Sequence, residues 1–269
     1  MMRVFVEGIG LRAPGLAGWA AGQDVLAGRR PYEPAEISVP ACDLLPPAER
    51  RRAVPSVRLA LATGDEATAQ SGCDVRSLVM VFASATGDPA TIHGILETLA
   101  SPMREVSPTR FQNSVYNAPA GYWSIATRSH QPSISLAGHD ATAGAGLLEA
   151  AARVTTERCK VGLVVYDLPL LEPLNALRPI RCAFSAALVL DAEPGERTLA
   201  ALDIELRQPA GDASRFDDQG LEALRVGTPA ARMLPVLAAL ADHPETGAVL
   251  DHTGRDRLVI RVSSAQSAW

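Results

Sequence analysis

Apolar strand patterns alternate with helical patterns along this sequence, which predicts an α/β fold with a mixed or parallel sheet. Residues 77–85 (SLVMVFASA) and 161–166 (VGLVVY) are almost continuously apolar, as expected for strands that are covered on both faces. Residues 142–157 (TAGAGLLEAAARVTTE) have a helical pattern rich in glycine and alanine. Such small residues suggest that this helix packs closely inside the molecule.

The first elements follow from local signals. Residues 3–10 (RVFVEGIG) are apolar and β-branched before the glycines, which predicts a first strand. A helix over residues 16–27, ended by Gly28, follows a Pro-Gly pair. Residues 29–55 are rich in proline and arginine and are expected to form a long surface connection. Ser56 is expected to cap the next helix.

The remaining elements are predicted in the same way. A helix opens at Asp88-Pro89, and its apolar residues are spaced to share one face. That face contains Ile92, Ile95, Leu96 and Leu99. The later predictions are a helix over residues 118–127, a short strand over 132–137, strands over 184–191 and 199–206, a helix over 229–241, and a terminal hairpin of residues 247–251 and 257–263.

Composition excludes several classes of protein. A net charge of −5 argues against a general phosphate-binding surface, and therefore against nucleic acid as a partner. No apolar run approaches the roughly 20 residues of a membrane helix, and the N-terminal strand pattern is not that of a signal peptide. The scattered cysteines predict reduced thiols, a cytoplasmic location and no zinc site. These cysteines are Cys42, Cys73, Cys159 and Cys182.

Short motifs give little support for common enzymes. Residues 8–13 (GIGLRA) fit a loose dinucleotide fingerprint, but a Pro-Gly pair follows where a helix should begin, so a plain turn is favoured. The sequence has no HExxH motif and no Gly-x-Ser-x-Gly motif. His139-Asp140 lies between a predicted strand and a predicted helix. Two interpretations stay open, in which Asp140 caps the helix or takes part in catalysis.

A longer stretch carries a family resemblance. Residues 107–151 read SPTRFQNSVYNAPAGYWSIATRSHQPSISLAGHDATAGAGLLEAA and resemble the nucleophile region of β-ketoacyl synthases and other thiolase-fold condensing enzymes. Residues 4–19 (VFVEGIGLRAPGLAGW), 161–168 and 183–191 are similar to other parts of that fold, so the resemblance covers about residues 3–206. It is closest to the short chain-length-factor family associated with aryl-polyene-type clusters.

The resemblance implies a thiolase-like layered α-β-α fold with a mixed sheet. Its first half, residues 1–206, would be complete, and a shortened C-terminal portion, residues 207–269, would pack on the same domain. The family's nucleophilic cysteine would follow residues 133–137, but Gly138 occupies that position and no cysteine lies within twenty residues. The family also needs two histidines from its second half. Only His243 and His252 follow residue 206, in sequence unlike the family's motifs.

The implied function is therefore that of a catalytically inactive subunit without cofactor or metal. It would dimerise with an active ketosynthase, meet an acyl carrier protein transiently, and shape the tunnel for an acyl or polyene chain; a homodimer is possible when it is alone. The helix over 117–127 and the strand over 132–137 would then lie at the interface. The expected interface or tunnel residues are Asn117, Ala120, Gly121, Tyr122, Trp123, Ala137 and Gly138.

Alternatives stay open at this point. Tyr122 and Trp123 would form a floor of the tunnel, or they are ordinary core aromatics. The protein could instead be an enzyme with rewired chemistry on acyl-thioesters, in which His139 works with Ser135 or Asp140. A third hypothesis is a homodimeric binding scaffold that has no ketosynthase partner.

Overall fold

The computed structural model describes residues 1–37, 39, 41–208, 211–242 and 246–264. The strands in this part of the chain are β1 (Met2–Arg12), β2 (Val79–Ala83), β3 (Ser133–Leu136), β4 (Val161–Asp167), β5 (Phe184–Asp191), β6 (Ala200–Arg207), β7 (Gly247–Asp251) and β8 (Arg257–Ser264). The α-helices are α1 (Trp19–Leu26), α2 (Pro47–Arg52), α3 (Pro55–Ser71), α4 (Pro89–Ala100), α5 (Pro108–Asn113), α6 (Ala118–Thr127), α7 (Thr142–Glu157), α8 (Leu174–Leu177), α9 (Gln219–Gly227) and α10 (Leu234–Asp242). Two 3-10 helices, His139–Ala141 and Pro229–Met233, precede α7 and α10.

These strands form one mixed sheet, in the order β3-β2-β4-β5-β1-β6-β8-β7. β2 is parallel to β3 and to β4, whereas the other neighbours are antiparallel. β1 is longer than predicted because it has partners on both sides. Residues 2–6 pair with β6, and residues 5–12 pair with β5, with an irregularity between Val6 and Gly8.

Helices cover both faces of the sheet, as the predicted layered α-β-α arrangement requires. α3 and α6 contribute to a core on one face, whereas α1, α7 and α10 contribute to the core on the other. The glycines of β1 allow α3 to approach closely, because a Cβ at Gly8 or Gly10 would overlap the carbonyl oxygen of Ala67 or Thr63. This close contact gives the GIG sequence a packing role.

The C-terminal portion extends the same sheet. β8 pairs with β6 from Ala200 to Arg207, and β7 pairs with β8. The helix predicted over residues 229–241 is divided into a 3-10 helix and α10. The strands predicted from residue 184 and from residue 199 are confirmed as β5 and β6 with small changes of boundary.

Three local predictions are wrong. Residues 29–55 are not only a surface connection, because they include α2, and because Cys42 and Leu45 are buried. Ser56 does not cap α3, because the helix begins at Pro55. The backbone N–H of Ser56 instead donates to the carboxylate of Asp88. The first helix begins at Trp19, because residues 13 and 16 form an isolated bridge.

The apolar face predicted for α4 is partly exposed. α4 makes its main contacts with α5, and the side chains of Leu96 and Leu99 are each 48% exposed. The helical pattern is therefore confirmed, and its apolar face is only partly covered, because Ile92 and Ile95 are half-buried whereas Leu96 and Leu99 are exposed. α5, α8 and α9 are short helices that the pattern did not predict.

Candidate functional site

A tight turn connects β3 to α7, and we call residues 137–141 the elbow. It lies beyond the carboxyl ends of the neighbouring parallel strands β2 and β4. The N–H of Gly138 donates to Oγ1 of Thr142 at 3.0 Å, and that hydroxyl donates to the carbonyl of His139 at 2.7 Å. His139 has a φ of 53°, a left-handed conformation that stores strain in a residue other than glycine.

Ion pairs join the elbow to Arg178, which follows α8, and to the C-terminal portion. Arg178 donates to Oδ1 of Asp140 at 3.3 Å, and a second guanidinium, that of Arg232, lies 3.5 Å from Oδ2. Arg232 also donates to Asp251 at 3.3 Å, at the end of β7. No side chain caps the start of α7. The interpretation of Asp140 as a helix cap is therefore wrong, because its carboxylate faces two arginines.

In the part of the chain that the structure describes, His139 makes no hydrogen bond with Ser135. The His139 side chain is 74% exposed, and its Nδ1 lies 3.4 Å from Oδ1 of Asp140. The hydroxyl of Ser135 is buried and has no hydrogen-bond partner in the described part of the chain. A histidine that activates a serine hydroxyl must lie within hydrogen-bond reach of it, so the structure shows no activated serine here.

The thiols of this chain also lack the environment of a nucleophile. Cys42 is buried in the core beside α3, and the Sγ of Cys182 lies 3.5 Å from the hydroxyl of Thr228. Burial raises the pKa of the thiols of Cys42, Cys159 and Cys182 above the usual value. A condensing nucleophile needs a lowered thiol pKa, so the surroundings of these three thiols do not favour that role.

A buried carboxylate at the end of β4 binds the residues that follow β2 and the 3-10 helix that precedes α10. Asp167, the last residue of β4, is fully buried. Its Oδ1 accepts hydrogen bonds from Ser84, Ala85 and Thr86 at 2.8–3.2 Å, and its Oδ2 accepts one from the N–H of Ala230 at 2.8 Å. Burial raises the pKa of Asp167, and these donors oppose the rise. Sequence reasoning missed this residue, although an aspartate that ends the apolar run VGLVVYD was a usable signal.

The predicted interface residues on α6 divide between two faces. Asn117 and Gly121 are exposed, and they line a cleft of about 180 Å³ together with Tyr122 and Ile125. Ala120 and Trp123 are buried in the core that α3 and α6 share, where the Trp123 ring meets Phe82 edge to face at 6.5 Å between ring centroids. At the elbow, Ala137 is exposed and Gly138 is half-buried.

Comparison with known proteins identifies the family. Residues 20–243 match the profile of the "Beta-ketoacyl synthase, N-terminal domain". The chain belongs to the β-ketoacyl synthase family. A search of curated proteins finds no match to this chain.

Solved structures share the fold. The first is a Xenorhabdus doucetiae ketosynthase (ApeO) in complex with its chain length factor (ApeC), with a TM-score of 0.73 and 18% identity over 97% of this chain and 100% of the matched one. The second is the ishigamide ketosynthase/chain length factor, with a TM-score of 0.71 and 15% identity over 98% and 100% of the two chains. A Burkholderia phymatum β-ketoacyl synthase gives a TM-score of 0.61 at 14% identity, over 86% of this chain and 71% of that one. The thiolase-like ketosynthase fold is thus confirmed, with a shortened second half.

Within this β-ketoacyl synthase fold, further expected features can be located. Gly138 holds the elbow position at which the resemblance places the nucleophile. His252 lies in the turn between β7 and β8, whereas His243 lies outside the described residues. The described residues contain no group of three or more His, Cys, Asp or Glu side chains suited to a metal ion. None of the helices in this part of the chain is long and apolar enough to cross a membrane.

Proposed function

We propose that this chain is a catalytically inactive ketosynthase-like subunit of the chain-length-factor type. It pairs with an active β-ketoacyl synthase and shapes the tunnel for the growing chain in aryl-polyene-type biosynthesis. The observation that carries the proposal is Gly138 at the elbow. A glycine cannot form an acyl-enzyme, and burial raises the pKa of the thiols of Cys42, Cys159 and Cys182.

The surroundings of Gly138 support an inactive site. A Cβ at this position would lie 3.3 Å from atoms of Ala141, Thr142 and Ala145, so the start of α7 is packed against a glycine. Beside it, the carboxylate of Asp140 lies between two guanidiniums. The two arginine partners hold this carboxylate, and with it the turn, in place.

The outer edge of the sheet supports a protein partner. β3 is an edge strand, and unpaired edge strands invite pairing with another chain. The segment from α4 to α6 exposes large apolar side chains, which we call the apolar surface; within it, α6 contacts β3 and α4 contacts α5. The apolar surface consists of Leu96, Leu99, Phe111, Val115 and Ile125, each 46–68% exposed. Several large exposed apolar side chains in one part of a chain are typical of an interaction surface, here one that an active ketosynthase would cover.

The cleft on α6 supports a role in the tunnel. Gly121 lies on its wall, and a Cβ built on Gly121 meets no atom within 4 Å. A larger side chain is therefore accommodated without disturbing the core. We expect Gly121→Leu to leave the fold intact, since leucine has the higher helix propensity by somewhat under 1 kcal/mol, and to shorten the product of the complex.

The test is co-expression with ketosynthases from the same genome, followed by size exclusion and native mass spectrometry. We expect a one-to-one complex whose condensing activity is abolished when the partner's cysteine is replaced by alanine. Replacing Leu96 and Leu99 by glutamate should abolish the complex. The matched control is Val226→Glu, because Val226 is 54% exposed on α9, away from the apolar surface.

Two results would contradict the proposal. A homodimer that binds none of the ketosynthases would favour the scaffold hypothesis. A complex that still condenses acyl-thioesters after loss of the partner's cysteine would show that this chain has chemistry of its own, and His139→Ala would then be the next variant.

A further inference from the structure

A separate cleft lies between the start of α3 and the ends of β4 and β5. Its volume is about 340 Å³, near the lower end of the range of roughly 300–1,000 Å³ that small-molecule sites occupy. Leu168 directly follows β4, and Ala183 directly precedes β5. The walls include Ala41, Pro55, Arg58, Leu59, Leu168 and Ala183. Neither β3 nor α6 contributes to these walls, so the cleft is distinct from the α6 cleft.

Arg58 is the charged group on these walls, and the other wall residues are apolar. Its side chain is exposed, and it has no hydrogen bond or ion pair with any part of the chain that the structure describes. By contrast, Arg12 pairs with Glu66, and Arg50 pairs with Asp43 at 2.8 Å. Arg58 thus presents an unpaired cation beside an apolar cavity.

We propose that this cleft binds an apolar chain that carries a single anionic group. The guanidinium of Arg58 would bind the anion through paired N–H groups, and the apolar walls would cover the first part of the chain. Two sources share this chemistry, a free medium-chain carboxylate and the phosphate of an acylated phosphopantetheine. The inference goes beyond the proposed function, because it requires neither the interface nor a ketosynthase.

The test uses the full chain and a dansyl-labelled undecanoic acid as a fluorescent probe, displaced by decanoate or by decanol. We expect saturable binding of decanoate, with decanol about tenfold weaker, the factor that corresponds to about 1.4 kcal/mol. Arg58→Gln should weaken decanoate by about the same factor and remove the preference over decanol. Arg51→Gln, an exposed arginine on α2, is the matched control and should bind like wild type.

A second variant tests the cavity itself. Ala183→Phe should fill the cleft and abolish binding of both ligands, with the circular dichroism spectrum unchanged. Displacement by an S-octanoyl phosphopantetheine separates the sources: stronger displacement than by decanoate identifies the phosphate, and the reverse identifies the carboxylate. The inference is overturned if neither ligand binds saturably, if decanol binds as well as decanoate, or if Arg58→Gln changes nothing. None of these substitutions touches the apolar surface, so co-purification with a ketosynthase tests the proposed function independently.

Discussion

Asp167 offers a direct test of what stabilises the region around the elbow. Its carboxylate joins the end of β4 to residues 84–86, which follow β2, and to the 3-10 helix Pro229–Met233. Replacing Asp167 by asparagine keeps the size of the side chain but changes one acceptor oxygen into an NH₂ donor. Every group that contacts this carboxylate in the structure donates a hydrogen bond. Asparagine therefore cannot satisfy all of them.

The expected cost follows from this geometry. If the asparagine oxygen keeps the donors that contact Oδ1, its NH₂ group must face the N–H of Ala230, which now lies 2.8 Å from Oδ2. One hydrogen bond to a carboxylate is lost, at a cost of about 1.5–3 kcal/mol, and a buried donor is left unsatisfied. We expect Asp167→Asn to lower the free energy of unfolding by about 2–3 kcal/mol. For a chain of this size that corresponds to a fall of about 4–12 °C in Tm.

Urea unfolding followed by tryptophan fluorescence measures the effect, because Trp19 and Trp123 are buried. Wild type and variant should be compared at the same protein concentration, since association would add to the apparent stability. Asp217→Asn is the matched control, because Asp217 is exposed; its effect should stay within about 0.5 kcal/mol. A change of that small size for Asp167→Asn would refute the reasoning, because it would mean that the hydrogen bonds to Asp167 contribute no net stability.

Three further predictions concern other parts of the chain. Lys160→Met should lower the free energy of unfolding, measured by chemical denaturation, by about 3 kcal/mol. The reason is that the Glu7 carboxylate, which is 6% exposed and paired with Lys160, loses its cation. Glu7→Gln in the same background should recover part of the loss. A hydrogen bond from Arg225 lowers the pKa of Glu222. The stability that this ion pair contributes is therefore present above the usual glutamate pKa, and it is lost as the pH falls through the lowered pKa of the folded state. Glu222→Gln should therefore be less stable than wild type by at most about 1 kcal/mol at pH 7, and the two should converge in melts at acidic pH. Gly138→Cys should fold after a small shift at the start of α7, because Gly138 has a φ of −134° that any residue adopts, although the new Cβ would lie 3.3 Å from its neighbours. The new thiol should react with iodoacetamide, as detected by mass spectrometry, yet the variant should show no condensation. Turnover of acyl-thioesters by the purified variant alone would contradict this.

Much of the fold follows from local sequence. The helix over residues 142–157 and the helix over 118–127 are confirmed with unchanged boundaries, because small residues and apolar spacing act within a few turns. The apolar runs that predicted β2 and β4 lie next to each other in the sheet, and the family profile confirms the resemblance. The missing cysteine at Gly138 could also be read directly from the sequence.

The tertiary structure alone decided which groups meet. Asp140 and Arg232 are separated by about ninety residues, and only the folding of the C-terminal portion over the elbow makes them ion-pair partners. Asp167 likewise gains its donors from two distant segments, residues 84–86 and Ala230, and the exposure of the α4 face depends on what packs against it. Sequence patterns report the preferences of neighbouring residues, whereas such contacts depend on long-range packing that no short window contains.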